Sequence, residues 1–194
     1  MYRCTLFNSW ANTMRKSRST PANQLEQRAA ARFEAWLVSS ASKQDTWQAW
    51  FDGSAQGGMG AMAAGGFVLA PHGDQFEIVV PLAQRGCNNE AEYQGLLAVL
   101  DLLTAQGALH VTLYGDSDLV IRQARGEQAD KALRLAPLKL QAQQLIGSFQ
   151  TFSAHWIPRH KNSRADKLAA EGFEVSGPTL IRRRPCQLID PQGQ

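Results

Sequence analysis

From residue 46 onward the apolar positions change period along the chain, and each change marks an element. Trp47, Ala49 and Phe51 alternate with polar neighbours, which predicts a strand over 46–51. A Gly-rich turn over 53–60 and an apolar strand over 64–70 follow. The Pro71-His72-Gly73-Asp74 turn leads to a third strand over 75–82. These three form an antiparallel meander. The spacing then shifts to helical: Tyr93, Leu96, Leu97, Leu100 and Leu103 share one face of a helix over 89–106. A β-rich strand over 109–114 ends at Gly115-Asp116. Helices over 117–124 and 132–146, a strand over 149–157 and a closing helix over 161–173 complete the pattern. Strands joined by β-α-β crossovers after a meander predict an α/β fold, a mixed sheet with helices on its faces.

The flanks differ. Ser19, Thr20 and Pro21 suit a helix start, and Leu25, Ala29, Phe33, Trp36 and Leu37 then recur at helical spacing. This apolar stripe is expected to dock on the domain that follows, with 39–45 as a linker. Residues 1–45 thus form a basic segment with one amphipathic helix, 46–175 the main domain, and 176–194 a loose tail with three prolines and the cluster Arg182-Arg183-Arg184.

Composition narrows the class. Hydrophobic residues make up 44% of 194, enough for a real core. The net charge of +3 permits a polyanionic partner without requiring one. Cys4, Cys87 and Cys186 are widely spaced and odd in number, which suggests neither a disulfide framework nor a zinc site and fits a reducing, cytoplasmic setting. No apolar run reaches the roughly 18 residues of a membrane span, so no membrane association is expected. The first 25 residues lack acids and carry Arg3, Arg15, Lys16 and Arg18, as organelle transit peptides do. A basic leader, or a translation start at Met14, explains them without an apolar core or cleavage site. A monomer suffices for everything the pattern predicts.

The candidate chemistry lies in four carboxylates: Asp52, Glu92, Asp116 and Asp166. Asp52 ends the first predicted strand and Asp116 the fourth. Glu92 falls in the first turn of one helix and Asp166 within another. In a crossover sheet such ends converge on one rim. Gathered acids imply hard divalent cations: two ions roughly 4 Å apart, bridged by Asp52, would activate a water and stabilise a phosphodiester's leaving oxygen. Each acid also has a plainer explanation. Asp52 suits a turn before Gly53-Ser54, Asp116 a helix cap, Glu92 a helix dipole, and Asp166 an ion pair with Arg164 or Lys167. Singly those explanations win; together they must account for four acids in four distinctive settings.

Those settings carry a resemblance. Asp52-Gly53-Ser54, Asn88-Asn89 followed by Glu92, Gly115-Asp116-Ser117, and His160, Asn162 and Ala165-Asp166-Lys167-Leu168-Ala169 resemble, in order, the motifs of the type 1 ribonuclease H family, over 46–173. The resemblance implies a ribonuclease H-like five-stranded mixed sheet and an endonuclease that hydrolyses the RNA strand of RNA–DNA hybrids with two magnesium or manganese ions. It makes Asp52, Glu92, Asp116 and Asp166 the metal ligands and His160 an aid to proton transfer or product departure. Gly53, Ser54, Asn89 and Asn162 become the substrate contacts, with uncharged groups suited to the 2′-hydroxyls that distinguish such a hybrid.

Departures from the family pattern matter too. Cys87 replaces the usual Thr before the paired asparagines, and Asp118 adds an acid that is either solvated or near the site. Residues 126–138 are too few for the basic, aromatic handle of some relatives. Backbone charge is therefore expected from the amino-terminal segment, Arg122, Arg125 and Arg159. Two rivals keep the fold: a DNA-directed nuclease, disfavoured because Ser54 stands where exonucleases place a Glu, and a non-catalytic nucleic-acid-binding module, disfavoured because no acid is missing.

Overall fold

The computed structural model describes residues 45–127 and 133–186, so the amino-terminal helix and linker expected from the sequence lie outside the described residues. Six strands form one sheet in the order β5-β4-β1-β2-β3-β6. β1 (Thr46–Ala55), β2 (Gly60–Leu69) and β3 (Gln75–Gly86) make the antiparallel meander. β4 (His110–Gly115) and β5 (Thr151–Trp156) run parallel to β1, reached by crossovers through α1 (Asn88–Ala105), and through α2 (Asp118–Ala124) and α3 (Ala136–Ile146). A single 3-10 turn, Arg159–Lys161, leads into α4 (Ser163–Glu171), and β6 (Leu180–Arg184) returns antiparallel to β3.

The composition of β2 explains why helices can lie close on both faces of the sheet. Its sequence, GAMAAGGFVL, has glycine or alanine at six of ten positions. A Cβ on Gly65 would stand 2.3 Å from the backbone nitrogen of Ala169 in α4, and one on Gly66 would stand 2.4 Å from Val99 in α1. Most of the apolar core lies on the α1 side, built from Ala49, Phe51, Ile78, Tyr93, Leu96, Leu100, Leu103 and Leu113. A smaller cluster on the α4 side joins Phe67, Val79 and Leu168 to Trp50. Within the larger core the Tyr93 hydroxyl donates to Gln123, which explains a fully buried glutamine.

Three expectations shift. The Gly-rich turn is shorter than 53–60: β1 continues through Ala55, and only Gln56–Met59 turn, with Gly57 and Gly58 at φ 62° and 80°. The tail after Ser176 is not loose throughout, because Leu180–Arg184 adds a sixth strand to the expected five. Its arginines hold it: Arg182 pairs with Glu171, Arg183 with the buried Asp74, and Arg184 with Glu77. The Asp74 carboxylate also accepts the backbone N–H of Cys186 at 2.8 Å. Among the described residues no helix is long and apolar enough to cross a membrane.

Candidate active site

Asp52 does not end its strand. It pairs with Gly65 of β2, three residues short of the strand's end at Ala55. What ends there is the pairing of β1 with β4, whose last partners are Trp50 and Tyr114. Beyond that point β4 gives way to Gly115 and Asp116, and Asp52 is left beside the gap. Alternation along β1 sends the Gly53 position toward α1 and Asp52 to the opposite face. The side toward α1 has no room: a Cβ on Gly53 would lie 2.1 Å from the Ala91 carbonyl carbon and the Glu92 nitrogen. Gly95, one turn on, would meet the Asp52 carbonyl oxygen at 2.4 Å. The two glycines let α1 settle onto the β1 backbone, and that contact brings Glu92 to the same rim.

Glu92 sits in the second turn of α1, which begins at Asn88. The place near the helix start belongs to Glu90, whose carboxylate accepts the Cys87 backbone N–H at 2.7 Å in a capping box. A dipole explanation for Glu92 therefore falls away. Asp116 does not cap α2 either; its Oδ1 accepts a hydrogen bond from Asn162 Nδ2 at 2.7 Å.

Carboxylate oxygens of Asp52, Glu92 and Asp116 all lie within 4.8 Å of one another. Asp52 and Glu92 are 5% and 6% exposed, and Glu92 Oε2 is buried with no hydrogen-bond partner among the described residues. Burial, then the charges of Asp116 and Asp166, push the Asp52 carboxyl up to about 7. Burial, then the charges of Asp52 and Asp116, push Glu92 up to about 9. Burial and mutual repulsion thus favour the protonated forms of these two carboxyls, against the opposing charge of Arg159. An unpartnered buried oxygen among three convergent oxygens fits a hard divalent cation.

Asp166 stands apart from this trio. It lies in the first turn of α4, and its Oδ1 receives Arg159 Nη2 at 2.6 Å. That pairing replaces the Arg164 or Lys167 partner considered above; Arg164 instead reaches Glu77 at 2.9 Å and covers the Phe67 ring. Asp166 still acts on the site, because its charge is among those raising Asp52.

The remaining residues divide. His160 is exposed on the 3-10 turn, Asn89 is exposed on the first turn of α1, and Ser54 is half-buried after Asp52. The Gly53 N–H donates to Glu92. Asn162 is 1% exposed, and its Nδ2 is shared between the Phe51 carbonyl and Asp116. Asp118 is solvated, 70% exposed and 3.7 Å from Arg122. Arg125 is also engaged, donating to the Ala154 carbonyl at 2.7 Å. The sequence pattern did not single out Trp156, whose indole N–H donates to the Asp116 carbonyl at 2.9 Å while the side chain stays half-exposed. Nor did it foresee the Arg159–Asp166 pair, whose spacing spans a 3-10 turn and a helix start and follows no regular period.

Comparison with known proteins agrees with this geometry. The sequence profile of the reverse transcriptase-like family matches residues 50–172. The chain is 32% identical to ribonuclease HI of Halobacterium salinarum over 126 residues, covering 65% of this chain and 63% of that protein. It is 34% identical to the bifunctional protein Rv2228c of Mycobacterium tuberculosis, covering 64% of this chain but only 35% of that protein. Among solved structures, RNase H1 of H. salinarum superposes with a TM-score of 0.60 at 31% identity, over 66% of this chain and 98% of that one. LC11-RNase H1 in complex with an RNA/DNA hybrid superposes with a TM-score of 0.57 at 25% identity, over 66% and 96%. A profile match over more than half of the chain, identities above 30% and a shared fold lead to one conclusion: the chain belongs to the reverse transcriptase-like family, in its type 1 ribonuclease H branch.

Proposed function

We propose that this chain is an endoribonuclease that cuts the RNA strand of RNA–DNA hybrids. The observation that carries this reading is the trio Asp52, Glu92 and Asp116, the first two buried, with oxygens within 4.8 Å and Glu92 Oε2 unpartnered among the described residues. A relative solved with an RNA/DNA hybrid supports the choice of substrate.

Asp52, Glu92, Asp116 and Asp166 would together hold two magnesium or manganese ions. Such ions, when bound, supply a water nucleophile at neutral pH and neutralise charge on the leaving oxygen. The protein's own contribution is to place the acids. Burial of Asp52 and Glu92 excludes bulk water, and proton release from both prepares the site for positive charge. Asp166, paired with Arg159, would be the fourth acid of that set. His160, exposed on the turn before α4, is placed to take up or deliver a proton at its ring nitrogen as product departs. The Gly53 backbone, the Ser54 hydroxyl and the Asn89 amide offer uncharged hydrogen-bonding groups to ribose 2′-hydroxyls across the minor groove.

The test offers end-labelled RNA–DNA hybrid, duplex DNA and duplex RNA, with magnesium or with chelator. The proposal expects cleavage of the hybrid alone, in its RNA strand, and only with magnesium. Cutting of duplex DNA while the hybrid stays whole would establish a DNA-directed nuclease instead. A protein that binds the hybrid and cuts nothing would be the non-catalytic module.

A further inference from the structure

We infer that Asn162 is a positioning residue for the acid cluster, fixing Asp116 against β1, and not a contact for the nucleic acid; this rests on the acids being a divalent-ion site. Four hydrogen bonds meet at this residue. Its side-chain Nδ2 donates to the Phe51 carbonyl at 2.9 Å and to Asp116 Oδ1 at 2.7 Å. Its backbone N–H donates to the Arg159 carbonyl at 2.9 Å, and its own carbonyl accepts the Asp166 N–H at 3.1 Å. Phe51 precedes Asp52, so one residue ties together the surroundings of three of the four acids and the turn that carries His160.

The amide orientation follows from its partners. Both are oxygens that can only accept, so the nitrogen must face them; the reverse orientation would set Oδ1 against two acceptors. Asn162 Oδ1 is buried and has no partner among the described residues. A stranded amide oxygen is a costly way merely to join two strands, and a group left in that state calls for a functional reason. Holding a carboxylate supplies one. With one Asp116 oxygen held by Asn162, the orientation of the carboxylate beside Asp52 and Glu92 is fixed before any cation arrives. At 1% exposure Asn162 offers no surface to a sugar or phosphate.

Asn162→Ala and Asn162→Leu test this. Both remove the donor, and leucine keeps the same number and branching of side-chain heavy atoms, which separates lost hydrogen bonding from lost packing. Manganese binding by calorimetry, melting temperature without metal, and KM for the hybrid at saturating magnesium are measured on all three proteins. Partners that orient metal ligands are worth about 10–100-fold in metal affinity. The inference expects a loss of that size in both variants, with KM unchanged. A raised KM with unaltered manganese affinity would make Asn162 a substrate contact and overturn the inference. Unaltered affinity with a lowered melting temperature would make it merely structural and overturn it equally. A wild-type protein that binds no manganese would defeat the ion site itself, and the inference with it.

Discussion

Gly53 shows how tightly the site depends on one missing side chain. A Cβ there meets backbone atoms of Ala91 and Glu92 at 2.1 Å, and backbone cannot swing aside as a flexible side chain can. Gly53→Ala must push α1 off the sheet, taking Glu92 with it. Overpacking of this kind costs about 1–3 kcal/mol. The expected outcome is a lower melting temperature together with weaker divalent-ion binding; a variant equal to wild type in both would contradict the account of why Glu92 reaches the rim. The acids themselves give a second prediction. Asp52 and Glu92 are raised to about 7 and about 9, against an ordinary value of about 4 in the unfolded chain. The folded, metal-free protein therefore binds more protons between those limits, and stability falls as pH rises through the window. Below about pH 4 both states are protonated and the penalty vanishes. Thermal melts in chelator should show melting temperature declining from pH 5 to pH 9, and magnesium should offset the decline most at the alkaline end. A metal-free melting temperature that climbs across the same range would contradict the raised carboxyls of Asp52 and Glu92.

Among the elements, β1, α1 and β4 were legible because burial on one face imposes a period on sequence. Trp47, Ala49 and Phe51 gave the strand, and the leucines of α1 gave the helix. The glycines were harder. Gly53 reads as a turn residue in the sequence, but its use is to admit a helix, and only the structure shows which neighbour needs the space. β6 was not legible at all. Leu180 and Ile181 are 41% and 49% exposed, and Arg182, Arg183 and Arg184 follow without alternation, so the strand has no hydrophobic signature. It is held by ion pairs from α4 and from the β2–β3 turn and β3, which a periodicity cannot reveal. Within the site, the four acids were legible from their flanking motifs, whereas the hydrogen bond that makes Asn162 a partner of Asp116 joins residues 46 positions apart. The ion pairs predict how β6 is lost. Cys186 N–H and the Arg183 guanidinium hold the Asp74 carboxyl down at about 2. Its stabilising contribution is full above about pH 4 and disappears as pH falls toward 2. Asp74→Ala should release the strand at neutral pH, seen as faster hydrogen exchange of the Leu180–Arg184 amides with α1 still protected. Unchanged exchange would show that β6 is held without the Asp74 pairs.

For the whole molecule, sheet order is what converts separate motifs into a site. Placing β4 next to β1 brings Asp116 to Asp52 although 63 residues of sequence intervene, and α1 and α4 approach β1 and β2 from opposite faces because those strands carry glycine where the helices touch. The central claim is that charge on this cluster drives hydrolysis of the hybrid. Asp116→Asn examines it with little disturbance, because the asparagine side-chain oxygen can still accept from Asn162 while the negative charge is gone. The measurement is the initial rate of RNA-strand cleavage in an RNA–DNA hybrid at saturating magnesium, wild type against Asp116→Asn. The account predicts a loss on the order of 10³-fold or more, as for groups acting chiefly in the transition state, with the fold intact by circular dichroism. Equal rates for the two proteins would contradict it.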